Sequence, residues 1–337
     1  MAEDRLIARR GLLALAGGLL AACASTPEPR PKPQIPPLPS PPLDTLLPRA
    51  GLTWAIRVKP RTIAEIPWLI PAIGKIVPEP RFDGFRDKVG LDIRQIPEAI
   101  LARYGEPLSA TAAYVRHNVD AAVLEKKITA RLSSDVVKSE DRPDVFRVGG
   151  KLGTEPRAFA RLGRDVAVYQ QGGDTARGPV RIASLYAMKK LKARSAFDGE
   201  PLGPLVARFG DAPVIAVALG PFEDEWKRAA RGLLEVATAL GAAARPTSRQ
   251  NIGLSFALTG EFNERASEAA DTLRDAWNDI ARTGTGNVLG LDQPTDPPVA
   301  AGAKNVVTLS VELEPGRLAE GLRALVAQDI EAIMRLD

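Results

Sequence analysis

The chain contains little of the chemistry that most enzymes and metal proteins use. It has one cysteine, Cys23, and one histidine, His117, among 337 residues. A single histidine excludes multi-histidine sites such as the HExxH zinc motif, and an internal disulfide needs a second cysteine. Aromatic residues make up 5% of the sequence, which disfavours a sugar-binding cleft built on stacked rings.

Motifs for nucleophilic catalysis and for nucleotide binding are also incomplete. Residues 253–257 miss the last glycine of GxSxG, and no serine has a lysine three residues further on. The glycines of residues 284–290 have neither GxGxxG spacing nor the Lys-Ser/Thr pair of a P-loop, so a flexible connection is expected there. His117 precedes Asn118, a plausible helix N-cap, and is expected to be a surface turn residue. No cofactor is expected.

The chain has one long apolar run, residues 11–22, and it ends at Cys23. A membrane-spanning helix needs about 20 apolar residues, so this run is too short to span a bilayer. Its length, with the basic residues before it, is typical of a signal peptide. The residues that lead into the cysteine are Leu20, Ala21 and Ala22.

Leu20, Ala21, Ala22 and Cys23 resemble the lipobox of bacterial lipoproteins. The resemblance implies cleavage of a signal peptide, residues 1–22, and attachment of diacylglycerol and palmitate-type acyl chains at Cys23. Several chains anchor a protein stably, whereas one gives only marginal binding. Ala24 follows the cysteine where the class has Asp for inner-membrane retention, which favours the outer membrane. The alternative is a free thiol at the start of a disordered tail.

The paired arginines before the apolar run leave the export route open. Arg9 and Arg10, followed by Gly11 and two leucines, resemble a twin-arginine signal. An ordinary secretory signal with two basic residues is the equal alternative.

A proline-rich segment follows the cysteine. Residues 26–48 contain ten prolines, which exclude helix and sheet and favour an extended polyproline conformation. Residues 23–50 are therefore predicted to be a spacer between the lipid and the folded region. The alternative is that the segment is itself a proline-rich motif recognised by a binding partner.

Residues 51–337 repeat one pattern, a strand followed closely by an amphipathic helix. Several of the strands alternate large apolar residues with small or polar ones, which indicates one buried and one wet face. We predict an α+β fold with mostly antiparallel or mixed sheets, helices packed on one face, and two lobes, 51–210 and 211–337. The predicted strands of the repeated units are 52–59, 109–116, 214–219, 252–259 and 307–314.

Two further features complete the predicted architecture. Residues 144–148 and 165–169 are expected to be antiparallel strands, with glycine pairs at 149–150 and 172–173 as turns. The segment after Pro221 is expected to be a helix that includes Trp226 and continues to Leu240. The region is similar to uncharacterised bacterial envelope lipoproteins, a likeness that carries no residue roles.

The charge balance and one basic cluster limit the expected partners. The chain has 45 basic and 41 acidic residues, and removal of residues 1–22 leaves it close to neutral. Export also argues against nucleic acid. The densest basic cluster stands at the end of a predicted helix, where it either complements the helix dipole or contacts anionic lipid or envelope polymer. It consists of Lys189, Lys190, Lys192 and Arg194.

These observations predict a lipid-anchored envelope protein, without a metal or a cofactor, that binds or organises an envelope protein, lipid or polymer without catalysis. Two alternatives stay open. One is an envelope hydrolase that works through carboxylates, since spatial pairing is invisible in sequence. The other is a carrier that holds an apolar ligand between sheet and helices.

Overall fold

The structure, a computed structural model, describes residues 36–192, 194–222 and 230–335, with the backbone alone for 326–335. The described residues from Leu38 onward belong to one compact unit. The predicted signal peptide, the lipobox and Cys23 lie outside the described residues, as do residues 223–229 with Trp226.

The described chain forms a single sheet of 12 strands in which every pair of neighbours is antiparallel. The predicted α+β class with antiparallel pairing is therefore confirmed, although the sheet dominates more than expected. The strands are β1 (Leu52–Val58), β2 (Glu98–Tyr104), β3 (Ala110–Arg116), β4 (Ser134–Arg142), β5 (Val145–Leu152), β6 (Glu155–Leu162), β7 (Val166–Gln171), β8 (Val214–Leu219), β9 (Ala237–Pro246), β10 (Ile252–Gly260), β11 (Val299–Ala303) and β12 (Val306–Leu313).

The helices are short, apart from two near the end of the chain. Within the described residues they are α1 (Pro60–Ala64), α2 (Ile70–Ile76), α3 (Glu79–Val89), α4 (Ala121–Thr129), α5 (Pro179–Ala187), α6 (Leu202–Phe209), α7 (Leu233–Val236), α8 (Ala266–Ala281), α9 (Gly284–Leu289) and α10 (Pro315–Arg335). None of the described helices is both long and apolar enough to cross a membrane.

The strand order separates the two halves of the chain. The order is β11-β12-β10-β9-β8-β1-β2-β3-β7-β6-β5-β4, so all strands before Gly210 lie on one side of the β1–β8 pair. When the strands are read outward from that pair, the order on one side, β1-β2-β3-β7-β6, corresponds to the order on the other, β8-β9-β10-β12-β11. The pair itself is centred where Ile56 lies opposite Ala216.

Helices contact both faces of the sheet, so the expectation of helices on a single face is not confirmed. Tyr114 packs in the same cluster as Val180 of α5, whereas its neighbour Val115 packs with Leu124 of α4. Adjacent strand residues point to opposite faces, so α4 and α5 lie on opposite sides. We call the α4 side of the sheet the pocket face, because it carries the apolar pocket described below.

The small residues that alternate along β9 and β10 make the second helix layer possible. Ala257 is fully buried, although its side of the strand was expected to be wet. A Cβ atom built on Gly241 would lie 2.5 Å from the ring of Phe209 in α6. Large apolar residues therefore alternate with small buried residues along these strands. The small residues allow a helix to approach the sheet closely.

Several predicted local elements are wrong. Gly149 and Gly150 lie inside β5 instead of forming a turn. The helix expected to continue to Leu240 ends at Val236 in α7, and β9 follows from Ala237 because pairing with β8 and β10 overrides the helix propensity of its alanines. Asp120, not Asn118, caps α4, since its carboxylate accepts a hydrogen bond from the Ala122 N–H. Residues 284–290, expected to be a flexible connection, include helix α9.

The end of the predicted spacer belongs to the folded unit. Residues 38–47, which we call the strap, carry Leu43, Leu46 and Leu47, each only 1% exposed in the main core. The boundary predicted at residue 50 is therefore too late, because three leucines among the prolines supply the apolar area that binds the segment to the sheet.

Candidate functional site

The residues predicted from the sequence fall into two groups. The lipidation and export residues, Cys23 with its lipobox and the pair Arg9 and Arg10, lie outside the described residues, and their roles stay predictions. The basic cluster lies within them, directly after α5.

Side chains of the basic cluster are exposed at the carboxyl end of α5. Lys189 adopts a φ of 57°, and its backbone N–H donates to the Tyr186 carbonyl at 2.9 Å. The cluster is also close in sequence to Ser195, whose hydroxyl donates to Asp44 of the strap. The residue directly after the cluster thus contacts the strap.

His117 is buried, so the expectation of a surface turn residue is wrong. Its side chain is 3% exposed, and neither ring nitrogen has a hydrogen-bond partner among the described residues. Burial lowers the pKa of the imidazole, and the Val119 backbone and the charge of Asp165 offset this only in part. A catalytic base would need a hydroxyl or carboxylate in contact with the ring, so His117 has no role in a serine triad.

Polar contacts hold the strap to the ends of the strands beneath it. The Leu38 N–H donates to Asp144 at 2.6 Å, and the Ser40 hydroxyl donates to Asp165 at 2.6 Å. Arg116 donates to the Pro41 carbonyl at 2.7 Å and also pairs with Asp165. These contacts hold the first residues of the folded unit to its strands.

An apolar pocket lies on the pocket face, between helices α3 and α4 and strands β3, β6 and β7. Its volume is about 150 Å³, and a cavity of this size in a protein interior accommodates a benzene ring. Leu132 and Tyr169 on its wall are only half-buried, so the pocket opens to the surface. The other lining side chains are Phe85, Val89, Leu91, Ala113, Val115, Ile128, Arg131, Leu152, Arg157, Phe159 and Ala167.

The sequence of the sheet explains why a space is left there. Ala113 on β3 is paired with Tyr169 on β7, and Val115 is paired with Ala167. Alanines on the sheet do not reach the overlying helices, which leaves a concave floor between larger side chains.

One corner of this apolar pocket is cationic. Arg157 is 9% exposed, and its Nη2 atom pairs with Glu155 at 2.6 Å. Its Nε and Nη1 atoms are buried without a hydrogen-bond partner. Burial raises the pKa of the nearby Tyr169 hydroxyl, while the charges of Arg157 and Arg131 act in the opposite direction.

Sequence reasoning missed this site. Strand β6 was not predicted, and an arginine that alternates with alanines along a strand gives the impression of a solvated position. The one available signal was the alternation of Arg157 and Phe159 on one side of the strand, which places a charge beside a large apolar side chain.

Comparisons with known proteins do not assign the chain to a family. No family model matches it, and no curated protein does. Among solved structures, a fused permuted hexameric shell protein from the RMM microcompartment aligns with 85% of this chain and 98% of its own, at 8% identity. The TM-score is 0.13, and no argument rests on this likeness.

Proposed function

We propose that this chain is a lipid-anchored protein of the bacterial cell envelope whose folded unit binds an apolar ligand without catalysis. The lipobox pattern that ends at Cys23 supports the anchor, and Ala24 favours the outer membrane, with the folded unit facing the periplasm. The membrane is then the first partner, reached through the acylated cysteine.

The apolar pocket carries the binding part of the proposal. A small-molecule site is usually a concave apolar surface with a few polar groups that orient the ligand. The pocket between α3, α4 and the sheet has this character, since its lining is apolar except for Arg131, Arg157 and the Tyr169 hydroxyl. This favours a carrier of an apolar ligand over the other binding roles considered from the sequence.

The ionisation of the carboxyl groups disfavours the hydrolase alternative. A glycosidase needs one carboxyl group with a raised pKa as its general acid. The hydrogen bond from Arg94 lowers the pKa of Asp92. For Asp144, burial raises the pKa, but hydrogen bonds from Leu38 and Arg142 outweigh it and lower the pKa overall. Each described carboxyl group with a clear shift is shifted downward.

The position of the strap determines the reach of the proposed anchor. If the spacer ends at Pro37, directly before the folded unit begins at Leu38, residues 23–37 extend roughly 45 Å at about 3.1 Å per residue. The exposed basic cluster after α5 then meets anionic lipid or envelope polymer at high local concentration.

We assign the proposed lobes, 51–210 and 211–337, to the two halves of the sheet.

Binding is tested by calorimetric titration of octanol into the full chain carrying Cys23→Ser. This substitution removes the acyl chains, which would otherwise compete for the pocket. Ala113→Leu fills the floor of the pocket and is expected to abolish binding. The matched control is Ala242→Leu, which places the same side chain in an open apolar groove beside β8 and β9.

Saturable octanol binding that survives Ala242→Leu and is lost with Ala113→Leu supports the proposal. Absence of binding in the parent chain, or equal loss in both variants while both keep their melting temperature, contradicts it.

A further inference from the structure

Arg157 has buried N–H donors without a hydrogen-bond partner among the described residues. A guanidinium has five N–H donors, and those on Nε and Nη1, which are buried, lack an acceptor in the described residues. A buried donor without a partner costs free energy, and more so when it is charged. Arg157 lines the pocket, so an acceptor that enters there would remove that cost once the guanidinium turns toward it.

The surroundings of Arg157 favour an anion over a neutral acceptor. Arg131 adds a second positive charge to the wall, and among the described residues Glu155 is the one carboxylate paired with Arg157. Glu155 is itself 55% exposed and also accepts a hydrogen bond from Gln171, so water and a second donor share its charge. The corner therefore keeps a net positive charge beside an apolar wall.

Tyr169 adds a neutral donor at the same corner. Its ring lines the pocket, and its pKa is raised by burial, so the hydroxyl keeps its proton at neutral pH. A carboxylate held there would have two kinds of donor available, the guanidinium and the phenol.

We infer that the pocket selects an apolar carboxylate, with the chain or ring of the ligand against Phe159 and Val115 and its carboxylate on the free donors of Arg157. This inference rests on the proposed function and adds to it the chemical class of the ligand. Charge-assisted hydrogen bonds are about twice as strong as neutral ones. The carboxylate therefore provides selectivity, and the apolar wall provides the surface against which the rest of the ligand is buried.

Three probes with the same chain and different head groups test the inference. Octanoate, octanol and octylamine are titrated into the full chain carrying Cys23→Ser at neutral pH. We expect octanoate to bind about tenfold more tightly than octanol, and octylamine to bind most weakly. Arg157→Met, which keeps the length and apolar character of the side chain, is expected to lower octanoate affinity about tenfold and octanol affinity by much less.

The outcomes separate the inference from the proposed function. Equal binding of octanoate and octanol overturns the inference while the apolar site stands. Binding of none of the three overturns both. A preference for octanoate that persists in Arg157→Met overturns the role of Arg157. Should Arg157→Met fail to fold, the comparison of the three probes on the parent chain still decides whether the site selects an anion.

Discussion

At the scale of single residues, His117 makes the clearest link between burial and a measurable property. Burial lowers its pKa in the folded chain, whereas the unfolded chain has an ordinary histidine with a pKa of about 6.5. The unfolded state therefore binds more protons as the pH falls below that value. Stability linked to His117 is present above about pH 6.5 and is lost as the pH falls toward the folded pKa.

We predict that His117→Leu reduces this pH dependence. The free energy of unfolding, measured in urea at about pH 7.5 and about pH 5.5, should fall less in the variant than in the parent. Carboxylates that titrate near the lower pH are common to both proteins and serve as the internal control. An identical fall in the two proteins would show that His117 is not held neutral in the folded state.

Residue identity alone did not reveal His117 or Arg157 as buried. Arginine is mostly exposed in proteins and histidine is intermediate, so residue type did not predict full burial for either. Their burial depends on elements distant in sequence, α3 and α4 in the case of Arg157. The sequence could exclude multi-histidine metal sites, but it could not show which charged side chain faces an apolar wall.

At the scale of elements, the strap changes the interpretation of the proline-rich segment. Proline content correctly excluded regular helix and sheet over the described residues 36–42, but the short 3-10 turn Leu43–Leu46 packs into the core. A leucine can occupy a polyproline spacer or a core equally well, and only the facing strands decide which. The same context decided β9, whose alanines predicted a helix.

Leu46→Ala tests whether the strap is part of the folded unit. Removal of a buried leucine side chain costs about 2–5 kcal/mol, so the free energy of unfolding in urea should fall by that amount. The matched control is Leu191→Ala, because Leu191 is 45% exposed and should change stability by less than about 0.5 kcal/mol. Equal effects of the two substitutions would mean that the strap packs no more tightly than a surface loop.

At the scale of the whole molecule, the sequence supported the antiparallel class and the repeated strand-then-helix order. It could not supply the order of strands, because pairing across the sheet joins distant segments such as β1 and β8. It also hid the second helix layer, since alternation of large and small residues resembles alternation of buried and exposed ones. The division of the strands at the β1–β8 pair emerges only from the pairing.

The proposed anchor joins these scales, because it places an apolar-ligand pocket within reach of a membrane. The strap holds the first residues of the folded unit to its sheet, and the residue directly after the basic cluster contacts the strap. A binding unit held in this way would meet its ligand at the membrane surface, where apolar acids concentrate.

The most direct test of this central claim is incorporation of labelled palmitate in a related bacterium, followed by cell fractionation. The full chain should take up label and sediment with membranes, whereas Cys23→Ser should do neither. An unlabelled full chain that stays in the soluble fraction would contradict the claim, because Cys23 would then be an ordinary thiol and the envelope location would lose its basis.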